Sequence, residues 1–204
     1  MDIFDLDRCL VGDYQRFARS FTTIRAGDIR EQVNRIYSTG KFWPEPIVSI
    51  NPHFQVGDSL GELRRTRYAD IPNSPGIYLI INASCSAPRF LVKSTGGWFK
   101  RKDPSYSPDV VQKSWIEGAR VVYVGMTRAR NGLRGRLCQY FDFGSGKNIG
   151  HRGGRLLWHL EDSGDLLVRW RTCSAAEADP AETAAITQFK AIYDGRRPFA
   201  NRNK

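Results

Sequence analysis

The sequence predicts a mixed α/β domain in which a small sheet is flanked by helices. Three stretches have strand character, namely Gly76 to Ala83, Ala119 to Val124 and Leu166 to Arg171. The first two are nearly continuous runs rich in Ile, Val and Tyr, which are typical of buried strands, whereas the third alternates apolar and basic residues. We therefore expect one domain of three strands over residues 71–204.

Residues 1–70 are predicted to form a helical N-terminal extension. Tyr14, Phe17 and Phe21 recur at helical spacing, and the stretch from Asn51 to Arg67 is interpreted as a connecting region. The extension either covers one side of the core or forms an arm that dimerises or contacts nucleic acid. In the second case its contacts would come from Arg64, Arg65 and Arg67.

The segment 84–118 separates the first two predicted strands. It contains the aromatic and basic run from Trp98 to Lys102 and a predicted helix from Pro108 to Trp115, capped by Ser107. The run from Trp98 to Lys102 suits stacking on bases or binding of phosphate. The alternative is an exposed turn anchored by one Trp.

A strand, a glycine turn and a basic amphipathic helix follow within residues 119–141. Gly125 permits a sharp exit from the strand, and a helix is predicted to begin near Asn131. Arg136 and Tyr140 lie four residues apart on a face next to the apolar stripe, so they can project together into a cleft. The stripe consists of Leu133, Leu137 and Phe141. The alternative is a strand and helix with ordinary surface arginines.

A glycine-rich basic loop runs from Phe143 to Arg155 and does not match a phosphate-binding P-loop. Such loops can carry basic side chains to a polyanion. His151 has a catalytic interpretation and a structural or phosphate-contacting one, of which we favour the second.

The last helix is predicted to begin near Ala176 or Pro180 and to end before Gly195. Glu182 is in phase with Ile186 on its inner face. Because a buried carboxylate is costly without compensation, a bound cation or a salt bridge to an arginine is expected there.

The formal net charge is +10, and residues 1–70 contain ten basic and ten acidic residues, so the excess lies entirely in residues 71–204. A positive imbalance of this kind favours nucleic acid as the partner. The four cysteines are scattered, which argues against a structural zinc site. No apolar run is long enough to span a membrane, and the acidic start is unlike a signal peptide. We therefore expect a cytoplasmic protein.

Two short motifs identify a family resemblance. Gly76-Ile77-Tyr78 opens the first strand, and Tyr123-Val124-Gly125 closes the second. Together with Arg136 they resemble the GIY-YIG nuclease family over residues 75–201. The spacing from Gly132 to Tyr140 is similar to the N-terminal nuclease module of the bacterial excision-repair incision protein, and the overall plan resembles GIY-YIG restriction endonucleases.

The resemblance implies a three-stranded, mostly antiparallel sheet with an insertion at 84–118. It also implies a catalytic set of Tyr78, Tyr123, Arg136, Tyr140 and Glu182, with Glu182 as ligand of Mg²⁺ or Mn²⁺. Asn201 matches the closing motif of the family, although the interval from Glu182 is longer than usual. Tyr140 stands where the family often has histidine, and the excision-repair branch also has tyrosine.

These observations predict a Mg²⁺-dependent DNA endonuclease, with a restriction or host-defence role and a possible homodimer. RNA stays open as a second substrate, and no membrane partner is expected. The alternative is a nucleic-acid-binding or assembly module that retains the fold without cleaving. The residues predicted to contact nucleic acid are Lys100, Arg101, Lys102, Arg128, Arg130, Arg134, Lys147, His151, Arg152, Arg155 and Asn201.

Overall fold

Four antiparallel strands form one open sheet at the centre of the protein. The computed structural model describes residues 54–84, 86–151 and 153–202. All helices and strands below belong to one compact unit, His53–Ala83 with Pro88–Lys204. The helical spacing of Tyr14, Phe17 and Phe21 falls outside the described residues, as does Arg152.

The strands are β1 (Gln55–Ser59), β2 (Gly76–Ile81), β3 (Val121–Thr127) and β4 (Leu167–Thr172), in the spatial order β1-β4-β2-β3. Each neighbouring pair is antiparallel. The prediction of three strands was therefore wrong by one strand, although the mixed class of helices and a sheet is confirmed.

The additional strand, β1, comes from the stretch that was interpreted as a connecting region. Its sequence, Gln-Val-Gly-Asp-Ser, lacks the apolar alternation of a strand with one buried face. Among the described strands, β1 pairs with β4 alone. A Cβ on Gly57 would stand 2.3 Å from the carbonyl oxygen of Val168, so the close approach requires glycine. Sequence pattern alone carries little signal for such a strand.

The described residues contain four α-helices and three short 3₁₀ segments around the sheet. Ser59 and Ser174 cap α1 and α4 through their side chains, and Ser174 forms a reciprocal capping box with Glu177. Ser107 stands at the start of α2, but its side chain does not make the predicted capping hydrogen bond. The helices are α1 (Leu60–Arg65), α2 (Pro108–Ser114), α3 (Gly132–Gly144) and α4 (Ala175–Ile192), and the 3₁₀ segments are Phe99–Arg101, Arg155–His159 and Ser163–Asp165.

The core lies between the sheet and α3. Strand β2 is buried along its whole length, as expected for a central strand. The predicted stripe on α3 is confirmed, since Leu133, Leu137 and Phe141 are all buried in one cluster with Tyr78 and Ile80. Helix α4 packs on β2 and β3. Both helices are thereby fixed relative to the two central strands.

The segment 88–118 is joined to the region after α3. Phe90 forms an isolated bridge with Leu160, and the backbone N–H of Thr95 donates to the carbonyl of Trp158 at 3.0 Å. Of the helices that the structure describes, none is long and apolar enough to cross a membrane.

Candidate active site

The five residues predicted to be catalytic come from four different elements. Tyr78 lies on β2, Tyr123 on β3, Arg136 and Tyr140 on α3, and Glu182 on α4. Tyr78 and Tyr140 are fully buried, Tyr123 and Glu182 are 5% and 7% exposed, and Arg136 is half-buried. The site is therefore held by the sheet and two helices and not by flexible loops.

The three tyrosines form a contiguous aromatic cluster. The ring centroids of Tyr78 and Tyr123 are 6.0 Å apart in an edge arrangement, and those of Tyr123 and Tyr140 are 5.4 Å apart. In the register of β2 and β3, Tyr78 faces Gly125 directly. A Cβ at position 125 would stand 2.5 Å from Cζ of Tyr78, so the glycine of one motif leaves room for the tyrosine of the other.

The Arg136 guanidinium lies beside the phenols of Tyr78 and Tyr123. Burial raises the pKa of Tyr78, and the neighbouring Arg136 only partly offsets this shift. Burial also raises the pKa of Tyr123 and Tyr140 well above the usual range. All three phenols are consequently protonated at neutral pH and can donate hydrogen bonds.

Several polar atoms in this cluster are buried without hydrogen-bond partners of normal geometry among the described residues. Two of them lie side by side, the Tyr78 hydroxyl and Nε of Arg136. By contrast, the Tyr140 hydroxyl donates to the carbonyl of Gly154 at 2.7 Å. Buried polar atoms are nearly always satisfied in proteins, so these two donors are positioned to contact a water or a ligand.

Glu182 supplies negative charge at the same place. Its carboxylate acts electrostatically on Tyr78 and Tyr123, where it adds to the upward pKa shift that burial causes. Carboxylate and phenol oxygens are hard ligands that suit Mg²⁺, which commonly binds through one or two carboxylates and keeps several waters. Among the residues that the structure describes, no group of three or more His, Cys, Asp or Glu side chains could hold a metal ion. Glu182 is the acidic side chain whose charge acts on both Tyr78 and Tyr123.

The glycine-rich loop folds over the tyrosines. A Cβ on Gly153 would stand 2.5 Å from the Tyr123 hydroxyl, and one on Gly154 would stand 2.2 Å from the Tyr140 hydroxyl. Gly154 also has a φ of +66°, which disfavours other residues. This role was not predicted, although the consecutive pair of glycines within the loop is a visible signal for close backbone approach.

His151 belongs to the same cluster. It is 5% exposed, and its ring stacks on Tyr140 with centroids 4.6 Å apart and on Phe143 at 6.0 Å. Neither ring nitrogen has a hydrogen-bond partner among the described residues. Burial, with the positive charges of Arg136 and Arg155, lowers the pKa of His151 to about 3. The imidazole is therefore neutral at pH 7.

The described residues that were predicted to contact nucleic acid divide into three groups. Arg134 and Asn201 have their donors taken up by the protein: Arg134 donates to the carbonyls of Ile71 and Ala69, and the Asn201 amide bonds to the backbone of Val124. His151 and Arg155 lie at the edge of the tyrosine cluster. The side chains that lie in solvent are Lys100, Arg101, Lys102, Arg128, Arg130 and Lys147, of which Lys147 is paired with Asp142 at 2.7 Å.

Comparisons of this chain with protein-family models, curated proteins and solved structures returned no match.

Proposed function

We propose that this protein is a Mg²⁺-dependent DNA endonuclease of the GIY-YIG type. The observation that supports the proposal best is the pair of unsatisfied donors at Tyr78 and Arg136, placed beside the carboxylate of Glu182. A phosphodiester offers oxygen acceptors to the two donors, and a hydrated cation would link its remaining charge to the carboxylate. Few other ligands satisfy both requirements.

Each side chain has a role that follows from its surroundings. Arg136 stays charged at all relevant pH values and presents a planar fork of donors, so it would stabilise the negative charge that develops on the phosphate oxygens. Tyr78 and Tyr123, both protonated, would donate hydrogen bonds to the phosphate or to the attacking water. Glu182 would hold the divalent cation, which supplies charge neutralisation at the phosphate when bound.

Tyr78 is also the residue that the family resemblance suggests as general base. Its raised pKa means that Arg136 alone does not generate a phenolate at neutral pH. Loss of the Tyr78 proton at neutral pH therefore requires further positive charge at the site or a separate proton acceptor.

The excess of positive charge over residues 71–204 supports DNA as the substrate. A restriction or host-defence role is the biological setting we propose, because the sequence places an extension before the catalytic residues and an insertion between the first two strands. Cleavage of both DNA strands would require two copies of this site, so a homodimer is part of the proposal.

A second candidate is a nucleic-acid-binding module that does not cleave. The close cover of Gly153 and Gly154 over two tyrosines and the protonated state of the phenols favour it. Both candidates bind polyanions with an affinity that falls as salt rises, so only cleavage separates them.

The test is incubation of supercoiled plasmid with Mg²⁺, with Mn²⁺ and with EDTA. We expect nicked or linear product with either cation and none with EDTA. Glu182→Gln should abolish product while retaining DNA binding, whereas Glu177→Gln is the matched control on the same helix, because Glu177 is an exposed capping residue. Full activity of Glu182→Gln would remove the metal assignment, and intact plasmid under all conditions would favour the non-cleaving module.

A further inference from the structure

Two large aromatic side chains of the segment 88–118 project into solvent. Trp98 is 53% exposed and Phe99 is 41% exposed. Trp98 makes no ring contact with any other described residue. Adjacent exposed aromatic side chains are unfavourable in water and typical of a surface that stacks on a partner. We refer to Trp98 and Phe99 as the aromatic platform.

The platform is fixed in place against the glycine-rich loop. The N–H of Gly97 donates to the carbonyl of Phe143 at 2.8 Å, and a Cβ on Gly97 would stand 1.8 Å from the carbonyl oxygen of Lys147. The ring of Phe99 lies over Gly150, where a Cβ would approach it to 3.1 Å. Because the next residue, His151, stacks on Tyr140, the platform is continuous with the candidate active site.

Basic side chains without ionic partners follow the platform directly. Lys100, Arg101 and Lys102 are exposed, and none forms an ion pair with another described residue. Nζ of Lys100 lies 5.5 Å from the centroid of Phe99. Lys100 and Arg101 both have positive φ, of 52° and 59°. Two successive non-glycine residues with positive φ are uncommon, and such backbone strain concentrates at functional sites.

We propose that Trp98 and Phe99 stack on unpaired bases of a nucleic acid while Lys100, Arg101 and Lys102 contact its phosphates. Bases inside an intact duplex are stacked on one another, so exposed rings of this kind select unpaired or splayed nucleotides. This inference rests on the proposed function, since it names the substrate class: a strand with unpaired nucleotides next to the cleaved bond. The binding itself does not depend on cleavage.

The experiment measures binding in EDTA to a fluorescein-labelled single-stranded oligodeoxynucleotide and to the duplex of the same sequence. Trp98→Ala and Phe99→Ala should each weaken single-strand binding about tenfold and leave duplex binding unchanged. Trp98→Phe should restore most of the lost affinity, because it keeps a ring. Val92→Ala is the matched control, since Val92 is 73% exposed on the same segment, and it should change neither affinity.

The basic residues are tested by the salt dependence of the same binding. Each of Lys100→Ala and Arg101→Ala should reduce the slope of log K against log salt by about 0.7 for the single strand. Circular dichroism and thermal unfolding should show that these exposed variants fold like the parent chain.

Four outcomes would overturn the inference. One is unchanged single-strand affinity in both aromatic variants, and another is an equal loss for single strand and duplex. The third is a changed oligomeric state of Trp98→Ala with unchanged affinity, which would identify a protein-binding surface. An absence of binding to either oligonucleotide would overturn it as well, whereas an intact plasmid in the cleavage assay would reject only the proposed function.

Discussion

Two regions of this molecule differ in whether their buried polar side chains form hydrogen bonds with the protein. At the junction of the segment 88–118 with the region after α3, His159 is fully buried and bonded at both nitrogens: Nε2 accepts from the N–H of Tyr106 at 3.0 Å, and Nδ1 bonds to the carbonyl of Leu91 at 2.8 Å. In the tyrosine cluster, His151 is almost as buried, and neither nitrogen has a partner among the described residues. The His159 ring therefore joins two segments, whereas the His151 ring nitrogens have no protein partner among the described residues.

The same contrast separates two arginines on one helix. Arg134 is tied to the carbonyls of Ile71 and Ala69 at 2.7 and 2.6 Å, which attaches α3 to the turn before β2. Arg136, two residues later, faces the phenols of Tyr78 and Tyr123 with Nε unsatisfied. Arg134 and His159 therefore hold parts of the scaffold together, whereas Arg136 and His151 keep polar atoms without protein partners beside the tyrosines.

The largest effect is expected for the two arginines. Arg136→Ala should lower the rate of DNA cleavage about 10²- to 10³-fold, as loss of a transition-state donor does, with little change in unfolding temperature. Arg134→Ala should instead lower the free energy of unfolding by about 2 kcal/mol and keep the rate near that of the parent chain. Plasmid cleavage and urea denaturation measure the two quantities. Equal loss of activity in both variants would contradict the comparison.

Asn201 should behave as a scaffold residue despite its place in the family motif. Its amide accepts from the N–H of Val124 and donates to the carbonyl of Val124, both at 2.8 Å. Asn201→Ala leaves both backbone groups unsatisfied and should lower the free energy of unfolding by about 3 kcal/mol in urea denaturation. Asn148→Ala, at an exposed position, serves as control. A stable but inactive Asn201→Ala would place Asn201 in the catalytic set instead.

His151 should make stability depend on pH. Its folded pKa of about 3 lies below the unfolded value of 6.5, so its contribution is complete above pH 6.5 and is lost as the pH falls towards 3, because the unfolded chain takes up the proton first. Between pH 7 and pH 5 this loss is about 2 kcal/mol. His151→Phe keeps a ring against Tyr140 and should remove that part of the dependence. Urea denaturation at both pH values gives the comparison, and an unchanged dependence would refute the buried neutral state.

The smallest effect is expected for a substitution in the glycine-rich loop that lies over the tyrosines. Gly153→Ala should displace the Tyr123 hydroxyl and lower the cleavage rate about tenfold, since small misplacements of catalytic groups are costly. Gly164→Ala is the matched control, because a Cβ there meets no atom within 4 Å. If both variants cleave at the parent rate, the loop does not position Tyr123.

The sequence predicted those parts of the fold that have a strong local pattern. Strands β2, β3 and β4, the apolar stripe of α3 and the buried face of α4 all appear close to their expected positions. The edge strand β1 was missed, because its pairing depends on Gly57 fitting against β4 and not on periodicity. Propensity carries no information about a partner strand over 100 residues away.

The site shows the same limit. The convergence of Tyr78, Tyr123, Arg136 and Tyr140 was anticipated from a resemblance and from helical spacing, and the structure brings these side chains together. The sequence does not show which polar side chains bond within the protein. Arg134 and Arg136 look equivalent in it, and so do His151 and His159. Their difference arises from the carbonyls that the tertiary fold places beside one of each pair.

The side-chain amide of Asn201 forms the two hydrogen bonds to Val124 that a backbone peptide group of a neighbouring strand would form. Strand β3 lies at one border of the sheet, and the backbone groups that it turns away from β2 meet the Asn201 side chain and the N–H of Ala200, which donates to the carbonyl of Val122. The Asn201 side chain and the Ala200 N–H thus occupy backbone groups of β3 to which another chain could bond as an added strand. Removal of the Asn201 side chain would expose unpaired backbone groups of β3 beside Tyr123, and a second copy of the chain could then pair there.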